Sequence, residues 1–196
     1  MSTWYKQPMS NPNYPAIVNA TKPNKATVGF IERLDSKPRV VAEIGCYMGR
    51  TTAELLRFLP DDGELHLYDF VETAQAVADR LADPRVKVFG NTNRVLDYGA
   101  HTWHHDALAF LLIDRLLRPD GHVDFDDYEW SLQRSPTLNP NVFPKTAEWY
   151  SDEQIASRQV KQVVDLLVRR DPRYTEVVKN RVFRKDDPVP KREHGA

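Results

Sequence analysis

The stretch Val40-Val41-Ala42-Glu43-Ile44-Gly45-Cys46-Tyr47-Met48-Gly49-Arg50-Thr51-Thr52 decides the fold of this 196-residue chain. Its first half is a continuous apolar run ending in an acid, the pattern of a strand buried on both faces of a parallel sheet. Gly45 lets the backbone turn sharply, and Gly49 lets the next helix come close to a ligand. Thr51–Leu59 then carries Leu55, Leu56 and Leu59 at helical spacing. In a doubly wound sheet this strand–turn–helix junction, at the carboxyl end of the first strand, is where a ligand binds.

The same alternation continues outward. Asp61-Asp62-Gly63 is a turn, and Leu65–Tyr68 reads as a second strand, again followed by an acid, Asp69. Glu72–Ala82 reads as a helix stopped by Asp83-Pro84, Arg85–Phe89 as a third strand, and His104–Leu117 as a strong helix broken at Pro119-Asp120-Gly121. His122–Phe125 is a strand leading into Asp126-Asp127. A long connection over 128–150 precedes one helix over Ser151–Arg170, with Ser151 as N-cap. Thr175–Lys185 has the pattern of a hairpin turning at Lys179-Asn180. Upstream, a short helix is expected over Thr27–Leu34. The fold class is therefore α/β: a Rossmann-like, doubly wound, mostly parallel sheet with a C-terminal antiparallel strand or hairpin. The expected organisation is a Pro/Asn-rich surface arm over 1–25, a single domain over 26–185 and a charged tail over 186–196.

Composition narrows the function classes. Lys plus Arg is 27 against 28 for Asp plus Glu, a net charge of −1, so binding of nucleic acid by bulk phosphate neutralisation is not expected. The longest apolar run, Ala107–Ile113, is seven residues, far short of the ~20 of a membrane span. The N-terminus MSTWYKQPMSNPNYP has no apolar signal core. A cytoplasmic protein with no membrane partner is expected. The single cysteine, Cys46, permits no internal disulfide and no multi-cysteine zinc site.

Two ligand readings compete at the glycine turn. A dinucleotide site would show G-x-G-x-x-G, with a pyrophosphate on the helix N-terminus. This chain has E-x-G-x-x-x-G, and a carboxylate at Glu43 repels a pyrophosphate while suiting a ligand with an ammonium group. Asp69 is placed to accept hydrogen bonds from a ribose diol. VVAEIGCYMGRTT followed by HLYDF resembles the first two motifs of class I S-adenosylmethionine-dependent methyltransferases. GAHTWHHDALAFLLIDRLLRPDGHVDFDDYEW is similar to their later half, and EIG-x-x-x-G with FDDY is most similar to small-molecule O-methyltransferases, some of them metal-dependent. The resemblance covers roughly 38–130. It implies that Glu43, Gly45, Tyr47 and Gly49 hold the methionine part of the cofactor, Asp69 the ribose, and Asn91 the adenine.

The acceptor side is read from scattered residues. Asp126 and Asp127, at a strand's carboxyl end, could orient an acceptor or bind Mg²⁺; one capping the next loop while the other faces water explains them as well. His101 is a candidate general base beside His104 and His105, although a backbone-bonded helix-entry histidine and two solvated ones explain the cluster equally. Trp130, Phe143, Trp149 and Tyr150 could cover a flat acceptor or pack on a sheet edge. The expected activity is O-methylation of a small-molecule hydroxyl, with a homo-oligomer open through the N-terminal arm. A nicotinamide-dependent oxidoreductase and a non-catalytic cofactor-binding protein remain as alternatives. One segment does not fit: only nine residues, 90–98, separate Phe89 from Gly99, whereas a crossover needs ~10–12 and a further strand ~5 more. A strand and its connection are therefore expected to be absent near Asp97-Tyr98, which leaves Asp97 without a firm role.

Overall fold

A computed structural model describes residues 22–69, 71–89 and 102–186. Asn91, Asp97, His101, most of the expected arm and tail, and the junction at 90–98 lie outside the described residues. The chain divides into two compact units, Met1–Ala100 and His101–Ala196.

The first unit opens with α1, Lys25–Arg33. Asn24 caps it by accepting the Ala26 and Thr27 amides, and the Lys37 ammonium donates to the Ile31, Glu32 and Leu34 carbonyls at its far end. Both ends thereby satisfy backbone groups the helix cannot pair itself. Strand β1 (Val40–Ile44), helix α2 (Arg50–Leu56), strand β2 (Glu64–Tyr68), helix α3 (Val71–Leu81) and strand β3 (Val86–Val88) follow. The sheet is parallel in the order β1-β2-β3, with Glu43 opposite Leu67 and Leu67 opposite Val88.

Alternation in the central strand sorts its side chains. Leu65 and Leu67 are fully buried with Leu55, Leu56, Leu59, Ala74 and Val77, and burying each such side chain stabilises by roughly 1.5–3 kcal/mol. His66 and Tyr68 alternate with them and meet the Phe89 ring, Tyr68 in a stack at 5.2 Å. Strand β1 departs from expectation. Its apolar run predicted burial on both faces, yet Val40 is 57% exposed and the strand alternates between exposed and half-buried. The physical reason is position: among the described residues β1 pairs only with β2 and stands at a sheet edge.

The second unit contains α4 (Trp103–Leu116), β4 (His122–Asp124), a 3₁₀ turn at Leu132–Arg134, α5 (Thr146–Trp149), α6 (Asp152–Ala156), α7 (Gln159–Val163), β5 (Tyr174–Val178) and β6 (Val182–Lys185). Its sheet is antiparallel in the order β4-β6-β5. The C-terminal hairpin is as expected, turning through Asn180 at φ 58°. The core joins Phe110, Val123, Val163, Val164, Val168, Tyr174 and Phe183. Asp114 of α4 is tied to the hairpin by Arg173 at 3.0 Å, Lys185 at 3.0 Å and the Tyr174 hydroxyl at 2.8 Å.

The single helix expected over Ser151–Arg170 is three pieces. Ser151 forms a reciprocal capping box with Gln154, as its sequence position predicts. The chain then turns extended at Ser157 and resumes at Gln159. The buried Gln159 amide explains the break: its Oε1 accepts the Trp103 N–H at 2.7 Å and its Nε2 donates to the Gln154 carbonyl at 2.7 Å. It thus serves an unpaired donor at the start of α4, which a continuous surface helix could not do. Val164–Val168 continues as a π-helix, closed by the Arg169 amide on the Val164 carbonyl at 2.8 Å.

Candidate functional site

Parallel pairing of β1 with β2 puts both carboxyl ends on one side of the sheet, and the glycine turn is tied down there. The Gly45 amide donates to the Tyr68 carbonyl at 2.8 Å and the Gly49 amide to the Cys46 carbonyl at 2.7 Å. Gly45, Tyr47 and Gly49 all have positive φ, at 80°, 45° and 64°. For Tyr47 that conformation costs on the order of 1–2 kcal/mol. Asp69, only 5% exposed at the end of β2, offsets it by accepting the Tyr47 amide at 3.0 Å. The same carboxylate oxygen takes the Cys46 thiol at 3.4 Å. Burial and the carboxylates of Asp69 and Glu43 push that thiol far up, so Cys46 is a protonated donor in the turn and not a nucleophile.

Glu43 lies beside this turn and accepts the Thr52 hydroxyl of α2 at 2.6 Å. Burial pushes its carboxyl up to about 7, against the opposing Thr52 bond and with a further push from Asp69. A half-buried acid with raised basicity is poised to gain from a cationic partner. The two glycines have different reasons to be there. A Cβ on Gly45 would meet nothing within 4 Å, so this glycine opens onto free space. A Cβ on Gly49 would lie 2.5 Å from Val77 Cγ1 and 3.0 Å from an Arg80 nitrogen. Gly49 is therefore demanded by the packing of α3 whatever else it serves, whereas Gly45 leaves open space beside the backbone.

The structure brings Glu43, Gly45, Tyr47, Gly49 and Asp69 together in the first unit. Sequence reasoning missed Thr52 and Arg80, whose guanidinium donates to the Met48 carbonyl. The paired threonines after Gly49 were the one available signal for Thr52. In the second unit, Asp126 and Asp127 follow β4. Asp127 sits at φ 59° with its amide on Asp126 Oδ1 at 2.9 Å, and Arg181 from the hairpin lies 3.1 Å from that oxygen. Arg181 was likewise missed, since nothing in a local pattern links it to residues 55 positions away. Among the described residues no group of three or more His, Cys, Asp or Glu side chains could hold a metal ion. The Arg181 guanidinium rests on Asp126 and not on Asp127, so one of the two carboxylates expected for Mg²⁺ is already paired with a cation. His105 is bonded to Thr102, with its ring tilted against that of His104; Phe143 and Trp149 pack edge to face at 5.6 Å. No described helix is long and apolar enough to cross a membrane.

Neither a family model nor a curated protein sequence matches the chain. Solved structures do. A candidate rRNA-methylase from Clostridium thermocellum matches with TM-score 0.54 and 13% identity over 84% of this chain and 98% of that one. A candidate O-methyltransferase from Klebsiella pneumoniae matches with TM-score 0.53 and 18% identity over 95% and 91%. The O-methyltransferase TomG of Streptomyces achromogenes, complexed with SAM, overlaps 57% of the chain at TM-score 0.36, too loosely to bear on function. The chain therefore shares its Rossmann-like α/β fold with structures named as methyltransferases.

Proposed function

We propose that this protein is an S-adenosylmethionine-dependent methyltransferase that methylates a hydroxyl of a small molecule. One observation carries the reading: an acid with raised basicity and a glycine open to free space share a turn that the Asp69 carboxylate holds from the next strand. The residues present fit the cofactor. Glu43 would take its ammonium, Gly45 would admit it close to the backbone, Tyr47 and Gly49 would shape the turn around the methionine part, and Asp69 would face the ribose. Asn91 would take the adenine. When bound, the cofactor supplies an electrophilic methyl group.

Transfer of that methyl is an in-line displacement, so the protein's own work is to position the acceptor and to accept its proton. We assign those tasks to Asp126 and His101. Mg²⁺ is left out of this reading, because Arg181 already stands on Asp126. A small-molecule acceptor, in place of nucleic acid, suits the net charge of −1; a cytoplasmic location and a homo-oligomer are part of the proposal.

Calorimetric titration with S-adenosylmethionine, its demethylated product and NAD⁺ tests the reading, with Gly45→Val as control. Micromolar binding of the first two, lost in the variant, is expected. Binding of NAD⁺ alone would replace the proposal by an oxidoreductase. Labelled-methyl transfer to a hydroxyl panel, with bulk RNA as one arm, then reads the acceptor; tight binding without transfer to any arm would mean a cofactor-binding protein.

A further inference from the structure

The β5–β6 turn delivers a cation to the acidic end of β4. Asp124 pairs with Val182 in the antiparallel ladder, and the Phe125 amide extends it by donating to the Arg181 carbonyl at 2.9 Å. Register thus fixes Arg181 beside the residues that follow β4. Its Nη2 donates to Asp124 Oδ2 at 3.3 Å, and its Nε lies 2.9 Å from Asp124 Oδ1 as an ion-pair contact without hydrogen-bond alignment. Its Nη1 lies 3.1 Å from Asp126 Oδ1. The Arg181 and Asp124 side chains are each 18% exposed, whereas Asp126 is 53% exposed. One guanidinium, mostly withdrawn from water, therefore spans two carboxylates and leaves the outer one facing solvent.

A planar fork suits this geometry better than an ammonium, because it serves two carboxylates along fixed directions. It also sets a condition on metal binding. A divalent cation using the same oxygens would have to approach a fixed positive charge and displace its bonds. We propose that Arg181 is the resident cation of this strand end: it positions Asp126 and keeps divalent metal off Asp124 and Asp126. Catalysis at this end accordingly runs without a metal, a clause that rests on the methyltransferase reading; the occupancy of Asp124 and Asp126 by Arg181 does not.

Mn²⁺ binding followed by electron paramagnetic resonance tests it without any turnover. The wild type is expected to leave Mn²⁺ free up to about 1 mM, the weak end of carboxylate sites. Arg181→Gln should bind at least about tenfold more tightly, Arg181→Lys should stay close to the wild type, and Arg181→Gln with Asp126→Asn should lose the gain. Failure of Arg181→Gln to gain affinity while folded by circular dichroism would overturn the proposal. If that variant does not fold, the wild type decides: Mn²⁺ bound below about 0.1 mM and lost in Asp126→Asn would overturn it, and free Mn²⁺ would support it. Methyl transfer that is found and abolished by EDTA would overturn the metal-free clause alone, while no transfer with the Mn²⁺ pattern intact would count against the methyltransferase reading instead.

Discussion

Glu43→Gln should make the first unit more stable at pH 8 while weakening its ligand. In the folded chain the carboxyl is pushed from the ordinary 4.5 up to about 7 by burial first, with Asp69 adding to it and the Thr52 hydrogen bond opposing it. Between those two values the folded state holds a proton that the unfolded chain has released. Stability therefore falls as pH rises from 4.5 to about 7 and stays at the lower level above. At about 1.4 kcal/mol per pH unit the interval is worth at most about 3 kcal/mol, and residual solvent contact of the half-buried side chain reduces it toward about 2 kcal/mol. Glutamine keeps an acceptor for the Thr52 hydroxyl and removes the ionisation. The variant and the wild type should agree to about 1 kcal/mol at pH 5 and differ by about 2–3 kcal/mol at pH 8, with the variant the more stable. Native-state amide exchange at Leu65 and Leu67 is the suitable assay, because it reads the opening of this unit alone. Calorimetry at pH 8 should show the ammonium-bearing ligand bound at least about tenfold more weakly. A stability difference independent of pH, or a variant less stable at pH 8, would refute the assignment of a buried, proton-holding carboxyl.

The two glycines of the turn should separate when each is replaced by alanine. Gly45→Ala should cost about 1–2 kcal/mol through its backbone conformation and weaken S-adenosylmethionine binding at least about tenfold in calorimetry. Gly49→Ala should cost about 2–4 kcal/mol by the same amide exchange, because strain and the contact with Val77 add; adding Val77→Ala should not deepen the loss by the full cost of a buried valine. In the second unit, Ser151→Ala removes the capping box and should cost about 1 kcal/mol, read by urea unfolding followed on Trp103, Trp130 and Trp149 fluorescence.

The strands and the glycine turn were legible because their signals are local. An apolar run, an acid and a glycine within ten residues mark β1 and its turn, and helices α1, α3 and α4 fall within two residues of their expected ends, while α2 stops three residues short of Leu59. Information carried by distant residues was not legible. The break before Gln159 follows from an amide 56 positions away on α4. The exposure of β1 follows from which strands pair with it, which its own sequence cannot report. The reason for Gly49 lies on α3, and the grip on Asp126 comes from a hairpin that reads locally as surface. The short junction at 90–98 rests on its length alone, because those residues lie outside the described ones.

The hydrogen bonds that close the glycine turn have a consequence for how a ligand is met. The Gly45 amide is held by Tyr68 and the Tyr47 amide by Asp69, so the loop's left-handed residues are already locked in the bare protein. The conformational entropy of ordering that loop is lost during folding and is not charged again when a molecule arrives. Association should thus proceed at one rate without a slow ordering phase, and affinity differences among related ligands should sit in how quickly each one leaves.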